Sequence, residues 1–172
     1  MAHKSSSFFI FLLIVLLETT FPVMADRKLI ENTCRITENY DLCISTLLSN
    51  PSSLQADLKG LTLILLDVIK AKGSETLGKI TSLNESNPGW HDPLHECFVN
   101  YNAVIKEDVP EAINGVNQGQ LQISKGDMMD VSIKSQACDE SFMRRSMSLP
   151  LTAFNTLIHN LAYLTANFIG LL

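Results

Sequence analysis

The sequence predicts an all-α protein, an antiparallel up-down-up-down four-helix bundle with an N-terminal helical hairpin and two disulfides. Three observations predict it. Four segments after residue 51 carry apolar residues at helical spacing, and short connections join them. No segment shows sustained alternation of apolar and polar residues between hairpin turns, so no sheet is expected. Four cysteines follow a leader-like N-terminus, and an even number in that context indicates disulfides rather than thiols.

The first 25 residues are expected to be a secretory signal peptide. Lys4 supplies a positive charge, residues 8–17 form an unbroken apolar run, and Val23-Met24-Ala25 matches a cleavage site with small residues. The run is too short to span a bilayer, and Glu18 and Pro22 end the apolar stretch. A membrane anchor or a buried helix is the alternative interpretation.

Residues 26–172 are expected to form a single domain, with the hairpin over 26–51 and the bundle over 52–172. The formal net charge of the chain is −5, and no basic stripe occurs. Nucleic acid is therefore an unfavourable partner, and no segment after residue 25 is apolar enough to cross a membrane. A secreted protein without nucleic-acid or membrane partners follows.

Two short helical runs on either side of a polar turn predict the hairpin, and Ser49-Asn50-Pro51 closes it. Helices of two or three turns are marginal alone in water, so a covalent bridge and packing must hold them. The cysteines permit three pairings. The pairing in sequence order, 34–43 and 97–138, is favoured. Zinc ligation is the alternative, but no C-x-x-C occurs. The predicted disulfide residues are Cys34, Cys43, Cys97 and Cys138.

The first bundle helix is predicted to start at Ser52, because Ser52 and Gln55 have the spacing of a capping box. Its apolar stripe continues to residue 83, with a bend or a weak middle expected near Gly73-Ser74 because glycine weakens a helix. The second helix is predicted to start at Asp92 as its N-cap. Pro110 should kink it near residues 106–110.

Asn117-Gln118-Gly119 is predicted to end the second helix. The third helix carries the clearest seam in the chain, with steps of three and four residues. Ser148 is the predicted cap of the last helix. The residues predicted to be buried in these three helices are Leu94, Cys97, Phe98, Tyr101, Val104, Ile105, Ala112, Ile113, Val116; Met128, Val131, Ser135, Cys138, Phe142; and Leu151, Phe154, Leu157, Ile158, Leu161, Leu164, Phe168, Leu172.

The sequence contains little that could catalyse a reaction, and no enzyme, cofactor or metal site is expected. No nucleophile elbow, P-loop, dinucleotide fingerprint or H-E-x-x-H motif occurs. His91 and His95 have a metal-ligand spacing, but the predicted helix starts between them, so both are interpreted as exposed. His159 is expected to be partly exposed or hydrogen bonded, and Met128-Met129 to lie in the core. The acidic pairs interpreted as solvated charge are Glu107-Asp108, Asp127/Asp130 and Asp139-Glu140.

One N-glycosylation sequon, Asn84-Glu85-Ser86, lies just before Asn87-Pro88-Gly89, where an exposed loop is expected. Asn84 is therefore a candidate glycosylation site of a secreted glycoprotein.

Four stretches resemble a known family: LIENTC at 29–34, NYDLC at 39–43, DLKGL at 57–61 and ACDESF at 137–142. They are similar to the plant invertase and pectin methylesterase inhibitor family, and the likeness covers residues 26–172. The resemblance implies a bundle with an N-terminal hairpin and the disulfide pairing in sequence order. It also implies a non-catalytic protein that inhibits pectin methylesterase or acid invertase by protein-protein contact, in the apoplast or, as a second location, the vacuole.

Invertase inhibitors of this family carry a Pro-Lys-Phe motif in the connection between the second and third bundle helices. This chain has Gly119-Gln120-Leu121-Gln122-Ile123 there, so the invertase contact cannot be transferred to it and pectin methylesterase is favoured. The contact surface is unknown, either the helix faces or residues 119–124. One alternative function is carriage of a small apolar ligand in a cavity; the other is a scaffold that has lost inhibition. The cavity would be lined by Leu65, Ile69, Tyr101, Phe154 and Phe168.

Overall fold

The computed structural model describes residues 22–172, with side-chain surroundings from residue 27 onward. The predicted leader therefore lies almost entirely outside the described residues. The helices are α1 Pro22–Cys34, α2 Tyr40–Leu48, α3 Leu58–Ser86, α4 His91–Ala103, α5 Val109–Gln118, α6 Leu121–Met143 and α7 Thr152–Ile169. Two 3₁₀ turns, Pro51–Gln55 and Pro88–Trp90, and one π-helical segment, Val104–Asp108, complete this part of the chain, which contains no strand. The predicted all-α class is confirmed.

Four rods form the bundle. The first is α3, and the second is the continuous unit of α4, the π segment and α5. The third is α6 and the fourth is α7. Each rod contacts the next, and α7 closes the ring against α3. Their inward faces share one core, and the seam predicted for the third helix is buried throughout. A disulfide joins Cys97 of α4 to Cys138 of α6, with their Cα atoms 4.6 Å apart. None of the helices in residues 22–172 is both long and apolar enough to traverse a bilayer.

The hairpin of α1 and α2 turns at residues 35–39. Asn39 caps α2, its Oδ1 accepting a hydrogen bond from the Leu42 amide at 3.2 Å. The second disulfide joins Cys34 to Cys43, whose Cα atoms are 5.6 Å apart. Ile30 and Leu47 are fully buried and belong to the same core as the bundle. The hairpin is thus closed covalently within itself and packed onto the bundle through apolar contacts.

The predicted start of the first bundle helix at Ser52 is wrong. Pro51 begins a 3₁₀ turn, in which the Asn50 side chain accepts a hydrogen bond from the Ser52 amide. The backbone then becomes extended at Ala56, and α3 begins at residue 58. Its cap is Asp57, which accepts a 2.7 Å hydrogen bond from the Gly60 amide.

The caps predicted at Asp92 and Ser148 are also wrong. The 3₁₀ turn Pro88–Trp90 leads directly into α4, so helical geometry is already established at His91. Ser148 is followed two positions later by Pro150, and a residue before proline is disfavoured in the helical region. Consequently α7 begins only at Thr152.

Helix α3 continues through Gly73 without a break, as one helix of 29 residues. Gly73 is buried, and a Cβ atom there would lie 3.3 Å from Cγ1 of Ile105 on the facing rod. The glycine therefore permits close contact between two helices.

Pro110 does disturb its helix where predicted, and the disturbance is a π-helical turn. The Val109 amide donates to the Val104 carbonyl, five residues back instead of four. Proline lacks an amide hydrogen and its ring clashes with the carbonyl four residues earlier, and a wider turn just before it relieves that clash. The buried apolar residues follow the same change: Val104 and Val109 are five positions apart on the stripe.

Three residues predicted to lie in the core are exposed instead: Phe98 at 43%, Met129 at 36% and Leu172 at 40%. Phe98 and Met129 directly adjoin buried stripe positions, Cys97 and Met128, and a helix turns each following residue about 100° away. Leu172 lies beyond the end of α7.

A buried polar network crosses the bundle, and Asp139 belongs to it rather than to the solvated surface as predicted. The Tyr101 hydroxyl donates to Oδ1 of Asn155 at 2.7 Å, and Nδ2 of Asn155 donates to Oδ1 of Asp139 at 2.7 Å. Thr152 donates to the same carboxylate oxygen at 3.1 Å. Burial raises the pKa of the Tyr101 hydroxyl, so it remains a donor. Three rods are joined by this chain of hydrogen bonds.

We expect Tyr101→Phe to lower the free energy of unfolding by about 1–3 kcal/mol, because it leaves the buried Asn155 oxygen without its donor. Urea denaturation measures the change. The matched control is Tyr163→Phe, which removes the hydroxyl of a tyrosine that is 43% exposed and should change stability by less than about 0.5 kcal/mol. Equal losses in the two variants would contradict a structural role for the network.

Replacing both Cys97 and Cys138 by serine should lower the free energy of unfolding by about 2–5 kcal/mol, because the unfolded chain loses the restraint of a long closed loop. Denaturation of the variant beside the wild type gives the difference. Peptide mapping under non-reducing conditions should still find Cys34 joined to Cys43. A peptide linking Cys34 to Cys97 or Cys138 in the wild type would contradict the topology.

Candidate functional site

The adjacent rods α4–α5 and α6 are fixed to each other from end to end. Near one end, the disulfide is accompanied by a hydrogen bond from the Ser141 hydroxyl to the Pro93 carbonyl at 3.1 Å. At the other end, the Ser124 hydroxyl donates to the Ala112 carbonyl at 2.9 Å. A surface formed by these two rods is therefore rigid, which lowers the entropy that a binding partner would have to remove.

An ion pair between Lys134 of α6 and Asp108 of the π segment adds a third restraint near the middle. The Lys134 ammonium donates to both Asp108 oxygens at 2.6 Å. Asp108 is only 7% exposed, so its interpretation as solvated charge is wrong. Breaking such a pair leaves a buried charge, so it holds the two elements in one register.

The outward faces of α4 and α6 are unusually apolar. Among the described residues, twelve large apolar side chains are exposed, and half of them lie on these two helices. Isolated exposed apolar residues are normal, but their concentration on one pair of neighbouring helices indicates an interaction surface. Phe98 faces a groove between α3 and α4. We call the other five residues the apolar face; it comprises Val99, Ile123, Met129, Ile133 and Met143.

Charged residues border the apolar face at the end of α6. Arg145 pairs with Glu96 of α4 at 2.8 Å and donates to the Ser141 carbonyl at 2.7 Å. Arg144 also pairs with Glu96, and more loosely with Glu140, 3.8 Å away. Exposed ion pairs contribute only about 0–1 kcal/mol to stability. An apolar centre with arginine at its edge is typical of protein-protein interfaces.

The connection between α5 and α6 is shorter than predicted, because helix α6 already begins at Leu121. Only Gly119 and Gln120 lie between the helices, so the predicted loop over residues 119–124 is wrong. Gly119 adopts φ of 74°, a conformation that favours glycine, and the Gln120 amide donates to the Gly115 carbonyl at 2.8 Å. The connection is a tight turn and presents no projecting segment.

Asp127 lies near three other carboxylates and is partly buried, contrary to its interpretation as solvated charge. One of its oxygens is buried and has no hydrogen-bond partner among the described residues. Burial, then the neighbouring charges of Glu111, Asp108 and Asp130, raises the pKa of Asp127 to about 6, with Lys134 acting in the opposite direction. Asp130 itself is exposed, as predicted.

His91 and His95 lie side by side at the start of α4. His91 is the first residue of α4 and not outside it as predicted, and its ring is stacked on that of His95 with centroids 6.1 Å apart. Residues 22–172 contain no group of three or more histidine, cysteine, aspartate or glutamate side chains that could hold a metal ion. His159 is hydrogen bonded to the Ser132 hydroxyl at 2.8 Å and is half-buried, which agrees with its predicted role.

The residues suggested as the lining of a ligand cavity are packed against each other in the core. Leu65, Ile69, Tyr101 and Phe168 are at most 1% exposed. Phe154 is half-buried and lines a surface groove of about 200 Å³ together with Lys72 and Glu75, among others. Four of the five residues are therefore part of the core, and Phe154 packs against it from the surface.

A family model described as plant invertase/pectin methylesterase inhibitor matches residues 28–168. The chain belongs to this family. Its members are enzyme inhibitors and not catalysts.

Two curated relatives cover most of this inhibitor-family protein. It is 32% identical over 143 residues to cell wall / vacuolar inhibitor of fructosidase 1 of Arabidopsis thaliana, a match that spans 83% of this chain and 68% of the relative. It is 30% identical over 155 residues to a pectinesterase inhibitor of Actinidia deliciosa, spanning 82% of this chain and 80% of the relative.

The fold is shared with a solved member of the family. The crystal structure of a mutant form A of a pectin methylesterase inhibitor from Arabidopsis superimposes with a TM-score of 0.69 and 21% identity, covering 81% of this chain and 93% of that one. The predicted bundle with its hairpin is thereby confirmed.

Asp127→Asn should remove part of a pH dependence of stability. The pKa of Asp127 is raised in the folded state, so its stabilising effect is present below about pH 4 and is lost as the pH rises through about 6. At pH 7 the variant should gain roughly 0.5–1 kcal/mol, a value reduced for solvent screening, and at pH 3.5 it should match the wild type. Denaturation across this pH range measures it, with the exposed Asp67→Asn as control. The same gain at pH 3.5 and pH 7 would contradict the assignment.

Proposed function

We propose that this protein is a secreted inhibitor of pectin methylesterase that acts in the cell wall and binds the enzyme through its apolar face. The single observation that carries the proposal is the concentration of exposed apolar residues on α4 and α6, two rods that a disulfide and an ion pair hold rigid. A rigid, apolar centre with a charged border needs little ordering on binding.

The short α5–α6 connection supports the esterase over invertase as the target. An inhibitor that fills an active site from a connection needs a segment that protrudes, and residues 119–120 form a tight turn instead. A helical face without a protruding segment suits a target that is bound through the faces of helices.

Acid invertase is the second candidate. The 32% identity to an inhibitor of fructosidase from Arabidopsis thaliana favours it, since this match covers 83% of the chain. The same relative is described as a cell wall / vacuolar protein, so the vacuole is the second location that we propose.

Titration of the purified mature protein against both enzymes at mildly acidic pH distinguishes the two targets. We expect stoichiometric inhibition of pectin methylesterase and residual invertase activity close to that of the uninhibited enzyme. Inhibition of invertase alone would contradict the proposal and make acid invertase the target. If neither enzyme were inhibited across a panel of isoforms, the scaffold would have lost the family's activity and the proposal would be wrong.

Ile133→Glu should weaken inhibition by tenfold or more, because a charge at the centre of the apolar face costs about 1.4 kcal/mol or more of binding free energy. The matched control is Ile36→Glu in the hairpin turn. Ile133 and Ile36 are 59% and 64% exposed, so both variants should fold equally well. The inhibition constant of Ile36→Glu should stay within about twofold of the wild type. Loss of inhibition in the control alone would place the contact on the hairpin.

A further inference from the structure

Asn84 lies in the last turn of α3, where the first turn of α4 passes beside it. Its Oδ1 can only accept a hydrogen bond, so the 3.2 Å contact with Nδ1 of His91 is donated by the histidine. This bond fixes the orientation of the side-chain amide. Nδ2, the atom to which an N-linked glycan is joined, has no hydrogen-bond partner among the described residues.

A groove of about 180 Å³ adjoins Asn84 between α3 and α4. One part of its lining is apolar and includes Phe98, which is 43% exposed although it was expected in the core. Another part is polar and offers hydrogen-bonding groups beside the aromatic ring. The residues that line the groove with Asn84 are Ile80, Thr81, His91, Leu94, His95 and Phe98.

We propose that Asn84 carries an N-linked glycan whose first N-acetylglucosamine lies in this groove and covers Phe98. The apolar face of a pyranose ring packs on an aromatic side chain, while its hydroxyl and acetamido groups need polar partners. Thr81 and His95, which also line the groove, can supply these partners. The sequon and the groove are independent observations, and together they explain why a phenylalanine is exposed here.

The modification uses a co-substrate of the secretory pathway, so the inference rests on the secretion proposed above. The Asn84 nitrogen forms a bond to the anomeric carbon of a lipid-pyrophosphate-linked oligosaccharide. The bond between that carbon and the pyrophosphate oxygen breaks, the lipid pyrophosphate leaves with the electron pair, and the nitrogen releases one proton. The serine at the third sequon position, Ser86, is required for recognition of the acceptor.

The test uses the full chain secreted from plant cells. Intact mass and peptide mapping should show a glycan on Asn84 that is absent from Ser86→Ala, and the wild type should melt about 2–4 °C higher than this variant. Trimming with an endoglycosidase that leaves one N-acetylglucosamine should preserve the difference, because the first sugar makes the contact. Unglycosylated wild type from a bacterial periplasm should have the same melting temperature as Ser86→Ala. This comparison controls for the lost serine hydroxyl.

Phe98→Ala, prepared with and without the glycan, tests the contact itself. The thermal shift that the glycan confers should disappear in this variant and persist in Val99→Ala, which alters the next residue on the exposed side of α4. An unmodified Asn84 in the secreted protein would overturn the proposal. So would an undiminished shift in Phe98→Ala, or loss of the shift on trimming to one sugar. These readouts are mass and melting temperature. Their outcome is therefore independent of whether the protein inhibits either enzyme.

Discussion

Pro110 imposes the constraint on which the second rod of the bundle depends. A proline in a long core helix removes a hydrogen bond and places its ring against the carbonyl four residues earlier. The chain accommodates it with the π segment Val104–Asp108, and the extra residue rotates everything after it. Because of that rotation, Val109, Ala112 and Val116 continue the buried stripe. The same turn places Asp108 where Lys134 can reach it from α6.

Rigidity and surface chemistry are linked in this fold. The groups that hold α4, α5 and α6 together are buried or face inward: a disulfide, two serine hydroxyls bonded to carbonyls of the neighbouring rod, and the ion pair. The outward positions on these helices therefore do not have to hold the bundle together. They can carry apolar residues without loss of stability. An inhibitor needs this division, since it must present a fixed surface and undergo no chemistry itself.

The helical periodicity of apolar residues made the fold predictable. Competing local backbone preferences limited how accurately the helix starts could be predicted. The number of rods, their order, the end of the second helix at Gly119 and the seam around Cys138 all follow from the spacing of apolar residues. Helix starts were wrong because Pro51, Pro88 and Pro150 set the backbone before the expected caps could. Asp108, Asp127 and Asp139 could not be assigned, because their partners lie on other helices. The step of five between Val104 and Val109 was the one readable sign of the π segment.

The turn between α5 and α6 also limits how this scaffold can change its target. A Cβ atom on Gly115 would lie 2.2 Å from Oγ of Ser124, so the two helices touch with no spare room behind the turn. A protruding motif could not be introduced here by point substitution. It would require added residues or the unwinding of the first turn of α6, with loss of the bond from Ser124 to Ala112. A change in the length of this turn, more than in its composition, is therefore what an evolutionary or engineered shift in specificity would have to supply.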